Sequence, residues 1–279
     1  MKLQGYNGVV KPRLLIVTTT ADLSLPLFFH LSDDNLMDVS FIFYDMPIDG
    51  LESIVRKGFE FVYFRDPFND LTISQPHAKR LTEAIIDNLR TAYKVDKISS
   101  YDDMMFEDKW HQYNLFGDLM PQTELPSSFD DVNFDTQLLK KRISARSKGI
   151  VFDRASILPK DSPQDYVLQA KLNIKKEYRV FMVGGEIVKP MAIKSSKTPN
   201  QIAKLVGLED KIPSDLTQIC QEVYKKTKFD LMGLDIVETD EGYKVLEVNR
   251  SCQFAKFYRL SGLNLASMLS SYLVQTKAD

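Results

Sequence analysis

The segment Gly233–Asn249, GLDIVETDEGYKVLEVN, restricts the fold more than any other part of the sequence. Two runs of alternating polar and apolar residues flank Asp240-Glu241-Gly242, and this pattern predicts a β-hairpin with a three-residue turn. A turn centred on Glu241 pairs Asp235 with Glu247 on the neighbouring strand. The sequence therefore predicts two carboxylates that face each other across a tight hairpin.

The same register divides the hairpin into a polar face and an apolar face. Side chains alternate along a strand, so Asp235, Glu247 and Asn249 share one face, and Val237 is expected to pair with Val245. The opposite face is predicted to pack on the core, and it carries Leu234, Ile236, Leu246 and Val248.

The polar face has the composition of a divalent cation site. Directly opposed side chains have Cβ atoms about 4.5–5.5 Å apart, and two carboxylates at that separation repel unless a proton or a cation lies between them. Carboxylate and amide oxygens are ligands that Mg²⁺ selects, and its shell is usually completed by water and nucleotide phosphates. The residues alone leave a second interpretation open, an exposed hairpin with a polar outer face.

Composition excludes several other classes of protein. The chain has 279 residues, a net charge of −2 and a pI near 6.0, so nothing favours nucleic acid or an anionic membrane as a partner. No apolar run reaches the roughly 20 residues that span a bilayer, and no signal peptide is predicted, so we expect a cytoplasmic protein. The two cysteines and three histidines lie outside metal-ligand spacings.

Short apolar runs and helical patterns alternate in the first hundred residues, which predicts a small parallel α/β sheet. The predicted strands are Arg13–Thr18, Val39–Tyr44 and Phe59–Phe64, and the predicted helices are Pro26–Leu31, Leu51–Lys57 and Pro76–Tyr93. Asp102–Phe116 is predicted to be helical or helix-turn-helix.

The rest of the chain has an α+β pattern. The predicted strands are Gln137–Ile143, Gly149–Asp153, Tyr166–Lys171, Glu177–Val183, Glu186–Lys194, Leu231–Glu238 and Tyr243–Asn249. The predicted helices are Pro213–Lys228 and Leu263–Gln275.

Four segments, in the same order, resemble the ATP-grasp superfamily. LDIVETDEGYKVLEVNRS resembles its terminal hairpin, especially in the carboxylate–amine ligase branch that contains ribosomal-protein glutamate ligases, glutathione synthetases and peptide-modifying ligases. Asp108–Thr123 resembles its lysine-bearing helix, Leu138–Ile150 its second lysine strand and phosphate-covering loop, and Val167–Val188 its hinge and arginine hairpin. The resemblance covers roughly residues 100 to 275.

The resemblance implies an ATP-grasp fold with an N-terminal Rossmann-like α/β domain, the pre-ATP-grasp domain. We expect this domain over residues 1–98, a central ATP-grasp subdomain over 99–168 and a C-terminal subdomain with the metal-binding hairpin over 169–279.

The resemblance also implies roles for single residues. The nucleotide contacts would be Lys109, Lys140, Ser144, Lys148, Gly149, Gln169, Ala170, Lys171, Leu172 and Glu177. The catalytic residues would be Arg179, Lys194 and Arg250, and the metal ligands Asp235, Glu247 and Asn249. The choice between Lys140 and Lys141 stays open. Ala170 stands where the family usually has an acidic residue, and Gly149 is the single glycine of the covering loop.

The activity that the resemblance implies is ATP-dependent ligation of a carboxylate to an amine through an acyl-phosphate. The expected cofactors are ATP and two Mg²⁺ ions, with Mn²⁺ as a substitute, and the expected substrates are amino acids, peptides or protein tails. A homodimer is expected. Two alternatives remain at this stage, a sugar or inositol-type kinase with the same fold and a non-catalytic nucleotide-binding regulatory protein.

Overall fold

A computed structural model describes residues 11–33, 36–69, 72–144, 149–195 and 204–277. Within these ranges the chain forms one four-stranded parallel sheet, a second four-stranded sheet and a six-stranded sheet. Lys148, one of the predicted nucleotide contacts, lies outside the described residues.

The first sheet is parallel and has the order β2-β1-β3-β4. Its elements are β1 (Arg13–Thr18), α1 (Leu25–Asp33), β2 (Asp38–Phe43), α2 (Leu51–Val55), β3 (Phe61–Phe64), α3 (Gln75–Asn88) and β4 (Tyr93–Lys94). Strand β3 is buried along its whole length, as its continuous apolar sequence predicts for a parallel sheet covered on both faces. The helix predicted to reach Tyr93 ends at Asn88, since Tyr93 is needed as a strand residue beside Phe61.

A short 3₁₀ helix and α4 (Lys109–Phe116) connect this sheet to the second one. Asp108 separates the two helices because its backbone is extended, and its carboxylate accepts a hydrogen bond from the Trp110 N–H at 2.9 Å. This arrangement is an N-cap. Of the two predictions for Asp102–Phe116, the interrupted helix is therefore confirmed.

The second sheet has the order β5-β8-β6-β7 and is antiparallel. Its strands are β5 (Thr123–Glu124), β6 (Gln137–Lys141), β7 (Ile150–Val151) and β8 (Tyr166–Ala170). Leu139, Tyr166 and Leu168 form its small core. Strands β6 and β7 are shorter than predicted, and they pair only through Leu139 with Val151 and Lys140 with Ile150.

The third sheet has the order β12-β11-β9-β13-β14, and β10 also pairs with β9. Its elements are β9 (Lys176–Val183), β10 (Glu186–Ile187), β11 (Met191–Ser195), β12 (Lys204–Glu209), α5 (Ser214–Thr227), β13 (Leu231–Thr239), β14 (Gly242–Asn249), α6 (Ala255–Ser261) and α7 (Leu265–Lys277). The predicted strand Glu186–Lys194 is divided in two, and the peptide bond between Lys189 and Pro190 at the division is cis. Strand β12 and helix α6 were not predicted.

The loop after β14 fixes the third sheet against the first. The buried guanidinium of Arg65 pairs with Asp22 and donates to the Cys252 carbonyl at 3.0 Å. The Asp66 N–H donates to Ser251 Oγ at 2.8 Å. Because these bonds join the carboxyl end of β3 to residues just past Asn249, the polar face of the hairpin lies where the two sheets meet.

Candidate active site

The hairpin of β13 and β14 brings Asp235 and Glu247 directly opposite each other, which confirms the predicted register at the carboxylates. The register nearer the turn was wrong. Val237 pairs with Lys244 rather than Val245, because the turn is one residue shorter than predicted. A bulge between Val245 and Glu247 then inserts one extra residue and restores the pairing at Asp235.

The bulge also corrects the predicted apolar face. Val245 is fully buried in the same cluster as Leu234, Ile236 and Val248, whereas Leu246 is half-buried. Leu246 is the extra residue of the bulge, so its side chain is not part of the regular alternation.

Asp235 lies at the centre of a charged cluster on the polar face. Its carboxylate is 6 % exposed and binds Arg179 through two contacts, Nε to Oδ1 at 2.8 Å and Nη2 to Oδ2 at 2.9 Å. Lys194 Nζ lies 3.1 Å from Oδ1 and also pairs with Glu177. Burial is the largest influence on Lys194 and acts to lower its pKa, but the charges of Asp235 and Glu177 and the hydrogen bond to Glu177 together outweigh it, so the pKa is raised. Three of the predicted site residues, Arg179, Lys194 and Glu177, therefore lie together.

Glu247 and Lys109 form the second ion pair of the polar face. Lys109 Nζ lies 3.4 Å from Glu247 Oε1 and donates to Ser144 Oγ at 3.2 Å. The lysine of α4, the hydroxyl of the covering loop and a metal-ligand candidate therefore meet at one point. Asn249, two residues along β14, has a buried amide nitrogen without a hydrogen-bond partner in the described ranges.

The donor set fits a hard divalent cation. Asp235 and Glu247 face each other in register with Asn249 on the same side of β14, and carboxylate and amide oxygens are ligands for Mg²⁺. An ionised carboxylate offers about four lone-pair sites, so the ion pairs with lysine and arginine leave sites for a metal. The described residues contain no group of three His, Cys, Asp or Glu side chains that could hold a metal, so a site here would use the two carboxylates with an amide oxygen, water or phosphate.

Lys140, rather than Lys141, is the buried lysine of β6. Its ammonium donates to Gln169 Oε1 at 2.6 Å, and Gln169 Nε2 donates to Thr123 Oγ1 at 3.2 Å. Burial lowers the pKa of Lys140 to about 8, and the positive charge of Lys109 adds to the effect. Lys141 points the other way and lies 3.5 Å from Asp161.

The hinge predicted to hold adenine spans residues 169–172 and begins at Gln169. The N–H of Ala170 donates to the Gln122 carbonyl at 2.9 Å, and the N–H of Lys171 donates to the Thr136 carbonyl at 2.8 Å. Both donors are used within the protein. An adenine contact through this segment would therefore fall to the carbonyl groups or to Leu172.

Gly149 closes the covering loop on β6. A Cβ at this position would lie 2.7 Å from Lys141 Cβ and 2.8 Å from Ser144 Cβ, so any larger residue would clash. The Lys141 N–H donates to the Gly149 carbonyl at 2.8 Å. Gly149 thus permits close packing at the base of the loop, next to the hydroxyl of Ser144.

The structure buries the side chain of Arg250, which the resemblance assigned to catalysis. Arg250 follows Asn249, but its side chain has no exposed surface and cannot contact a substrate in this structure. Its Nη1 donates to the Phe64 carbonyl at the end of β3 and lies 3.9 Å from Asp96 Oδ2. Arg250 is placed to hold the loop after β14 on the first sheet.

Two buried acids beside this region were not predicted. Asp66 and Glu107 are each 8 % exposed, and Oε1 of Glu107 has no hydrogen-bond partner in the described ranges. Burial raises the pKa of Asp66 to about 6 and that of Glu107 to about 8, with the charge of Asp66 adding to the second shift. Neither residue is part of a sequence pattern that would have revealed it.

Two further contacts at α4 were also missed. Gln112 is buried and bonds the backbone of Val248, and the guanidinium of Arg142 binds both oxygens of Asp108. Asp108 could have been found from sequence, because an aspartate directly before a helix is an N-cap signal. Val248, the partner of Gln112 on β14, lies 136 residues away, so no local sequence signal reveals the contact.

Comparisons with known proteins agree with this arrangement of three sheets. The chain superimposes on an ATP-grasp ligase, PsnB, solved with a minimal precursor, at a TM-score of 0.68 and 15 % identity, covering 95 % of this chain and 99 % of that one. The macrocyclase MdnC of Microcystis aeruginosa MRC, solved with its precursor peptide MdnA, gives 0.66 and 16 %, covering 95 % and 100 %.

D-Alanine–D-alanine ligase from Bacillus anthracis gives a TM-score of 0.64 and 15 % identity, covering 96 % of this chain and 97 % of the ligase. At these identities the similarity defines the fold, which is ATP-grasp. Residues 72–269, well over half of the sequence, match the ATP-grasp domain, R2K clade family 3. The chain belongs to this family.

Curated protein sequences gave no match. Among the helices that the structure describes, none has the length and apolar character needed to cross a bilayer.

Proposed function

We propose that the protein is an ATP-dependent ligase that joins a carboxylate to an amine through an acyl-phosphate. The observation that carries this proposal is the cluster around Asp235, where Arg179 and Lys194 lie beside a carboxylate pair suited to Mg²⁺. Two cations next to the metal ligands suit a reaction in which negative charge develops on a phosphoryl group and then on an acyl-phosphate.

The residues divide the work of binding ATP between them. Lys109 and Lys140 would contact the phosphates, since ammonium groups act as compact charges for polyphosphates. Asp235, Glu247 and Asn249 would hold Mg²⁺, which neutralises charge on the β- and γ-phosphates when bound. We infer two ions, as the resemblance implies, with Mn²⁺ able to replace Mg²⁺ because it accepts the same oxygen ligands. The structural neighbour PsnB has been solved with Mg and ADP.

The reaction needs no protein nucleophile. A carboxylate oxygen of the acid attacks the γ-phosphorus, the bond to the β–γ bridging oxygen breaks, and ADP leaves with the electron pair. The amine nitrogen then attacks the acyl carbon, phosphate leaves, and the nitrogen loses one proton. Both cysteines suit this scheme, because burial raises the pKa of Cys220 and of Cys252 to about 12 and neither thiol would ionise.

A peptide is the acid substrate that we favour over a free amino acid. Several structural relatives have been solved with precursor peptides, among them PsnB, MdnC and a ligase of Chryseobacterium gregarium with a leader and core peptide. We also propose that the first sheet is the Rossmann-like pre-ATP-grasp domain, because its parallel order β2-β1-β3-β4 suits a doubly wound fold. Homodimer formation and a cytoplasmic location stay predictions.

Hydroxylamine trapping tests the proposed reaction. The full chain is incubated with Mg²⁺, ATP, hydroxylamine and a panel of amino acids and short acidic peptides. A ligase gives a hydroxamate and ADP in equal amounts with its acid, and Arg179→Met abolishes both. ADP formed with a sugar or other alcohol, and no hydroxamate with any acid, would show a kinase instead. Failure to bind Mg²⁺ and ATP at all would contradict any catalytic use of the site.

A further inference from the structure

Gln112 makes an unusual set of hydrogen bonds between α4 and the metal-binding strand. The side chain is fully buried, and its Nε2 donates to the carbonyls of Val248 at 2.8 Å and Phe106 at 3.1 Å. Its Oε1 accepts from the N–H of Val248 at 2.9 Å. Val248 is the residue between Glu247 and Asn249, so Gln112 holds both backbone groups of β14 at the point where the strand carries two metal-ligand candidates.

An amide is the side chain that this position needs. Strand β14 lies at the edge of the third sheet, and an edge strand presents N–H and C=O groups that have no neighbouring strand. The amide of Gln112 supplies one acceptor and two donors, and so replaces that neighbour at Val248. Leaving either backbone group buried and unpaired would cost about 1–3 kcal/mol.

Helix α4 carries the phosphate lysine on the same side. Lys109 lies one turn before Gln112, and residues three apart on a helix are neighbours. Lys109 Nζ is 3.4 Å from Glu247 Oε1, so the contacts of Gln112 and of Lys109 run in parallel from one helix to adjacent residues of one strand. The position of α4 along β14 therefore sets the separation between the lysine and the metal ligands.

We propose that Gln112 is a positioning residue that fixes the phosphate lysine of α4 and the metal ligands of β14 as one rigid unit, so that the divalent cation and the nucleotide phosphates bind together. The proposal rests on the proposed function, since it assumes that Lys109 binds phosphate and that Glu247 and Asn249 bind metal. Gln112 contacts neither group and acts through the backbone of Val248.

The effect is expected on metal binding in the presence of nucleotide. Mutation of a residue that orients metal ligands without contacting the metal typically weakens metal affinity by about 10–100-fold. Gln112→Met has a similar length but no hydrogen-bonding group, and Phe116, buried in the core of the third sheet, keeps α4 packed. We expect this variant to bind Mn²⁺ about tenfold or more weakly with ATP present, while its affinity for metal-free ATP changes by less than about threefold.

The measurements use the full chain with MnCl₂ and ATP. Electron paramagnetic resonance gives free Mn²⁺, and ATP binding is followed by the fluorescence of Trp110, the sole tryptophan and the sequence neighbour of Lys109. Gln221→Met is the matched control. In the wild type, Gln221 Nε2 donates to the Gly185 carbonyl at 2.9 Å, outside the β13–β14 hairpin. The variant therefore loses one hydrogen bond to the backbone and should keep wild-type Mn²⁺ affinity.

Gln112→Glu tests the same role through pH. A protonated glutamic acid offers one O–H donor and one acceptor, as the amide does for Val248, whereas the ionised form has no donor and faces two carbonyls. Mn²⁺ affinity relative to wild type, measured with ATP, should therefore be nearly restored at low pH and fall as pH rises. The double variant Gln112→Met/Lys109→Met should bind Mn²⁺ in the presence of ATP no more weakly than Lys109→Met alone, because the two residues act as one unit.

Three results separate the possible failures. If the wild type does not bind Mn²⁺ and ATP together, the proposed function is wrong. If the wild type binds both and Gln112→Met matches it, or if Gln112→Met and Lys109→Met are additive, Gln112 does not position the site. If Gln112→Met does not fold, a Gln112→Glu affinity that follows wild type at every pH overturns the proposal equally.

Discussion

Asp235 is paired with more positive charge than either of the other metal-ligand candidates. Both of its oxygens contact Arg179 and one also contacts Lys194, whereas Glu247 has a single lysine at 3.4 Å. Removing one partner from a buried ionic group leaves the remaining charges uncompensated. Asp235 therefore orients the two cations as well as offering lone pairs to a metal.

Removal of either charge of the carboxylate pair is expected to slow ATP turnover strongly without unfolding the protein. Asp235→Asn and Glu247→Gln should each lower ATP turnover by about 10²-fold or more, a size typical of lost electrostatic stabilisation. Steady-state ADP release measures the change. Asp240→Asn is the control, since Asp240 lies on the same hairpin, is exposed and pairs with Lys175 outside the site. Near-normal ATP turnover in both test variants, with normal circular dichroism, would contradict the assignment of Asp235 and Glu247 as metal ligands.

Lys140 is expected to make ATP binding depend on pH. Burial lowers its pKa to about 8, so the ammonium that would contact the phosphates loses its proton as pH rises through that value. ATP affinity should fall by up to about tenfold between pH 7.5 and 9, following the protonated fraction. Lys140→Arg, which stays charged, should flatten the profile.

Trp110 fluorescence at a series of pH values measures this affinity. Lys141→Arg is the matched control, because Lys141 points to Asp161 on the other face of β6 and should leave the wild-type profile unchanged. The same slope in wild type and Lys140→Arg would place the titration on another group.

At the scale of elements, the metal hairpin shows what sequence alternation can predict. The pairing of Asp235 with Glu247 was correct, although the turn was one residue shorter than expected and Leu246 forms a bulge. The two differences cancel at the carboxylates. Whether Val245 or Leu246 enters the core depends on the packing of β14 against Val248 and its neighbours, and alternation within the segment contains no information about that packing.

Helix α4 and the covering loop are joined by Arg142 in the same way that α4 and β14 are joined by Gln112. The guanidinium binds both oxygens of Asp108, with Nη2 to Oδ2 at 2.6 Å, and the Lys109 N–H donates to the Arg142 carbonyl at 3.0 Å. This contact holds Ser144, at the start of the loop, close to the phosphate lysine.

Breaking the contact should weaken nucleotide binding. The Arg142 side chain is one-third exposed, and solvent screening weakens a charge-assisted pair at this exposure to about 1 kcal/mol. A loss of that size corresponds to a roughly fivefold rise in the Kd for ATP in Arg142→Met. Arg154→Met is the control, since Arg154 follows β7 of the second sheet and pairs with Asp130 at the surface. Equal Kd values for the two variants would show that the loop does not depend on Arg142.

At the scale of the whole molecule, sequence predicted what is local and missed what joins distant parts. The lysine strand, the hairpins and the parallel sheet follow from alternation and turn residues. Strand β12 contains Gly207, which weakens its strand pattern, and helix α6 follows the hairpin without a capping side chain. The resemblance assigned Arg250 a substrate contact, but its partners in the structure are Phe64 in β3 and Asp96 just after β4.

A pair of buried aspartates joins the first sheet to the third. The Asp96 N–H donates to Asp230 Oδ2 at 2.8 Å, and Asp96 Oδ1 accepts from the N–H groups of Asp230 at 2.8 Å and Leu231 at 3.0 Å. Asp96 has a left-handed backbone, with φ of 59°, which aspartate tolerates better than most residues. Burial raises the pKa of Asp96 to about 7, although Arg250 opposes the shift, and burial also raises the pKa of Asp230.

This pair should make the free energy of unfolding fall as pH rises. Between the unfolded-state pKa near 3.8 and the folded value of about 7, folded Asp96 keeps a proton that the unfolded chain has lost, so each pH unit costs up to about 1.4 kcal/mol. Above pH 7 the loss is complete. Asp96→Asn keeps an acceptor oxygen for Asp230 and Leu231 and suits the left-handed backbone, but it has no proton to lose. Its stability relative to wild type should therefore increase from pH 5 to pH 7 and then stay level.

Urea unfolding at pH 5, 6, 7 and 8 measures that difference, and a comparison with wild type at each pH cancels the contributions of Asp66 and Glu107, which also have raised pKa values. Asp102→Asn is the control because its exposed carboxylate lies near the same junction and should give a constant difference. If the unfolding free energies of Asp96→Asn and wild type run parallel over the whole range, Asp96 is ionised in the folded state. Arg250 then outweighs burial, and the junction between the sheets contains an ion pair rather than a protonated Asp96.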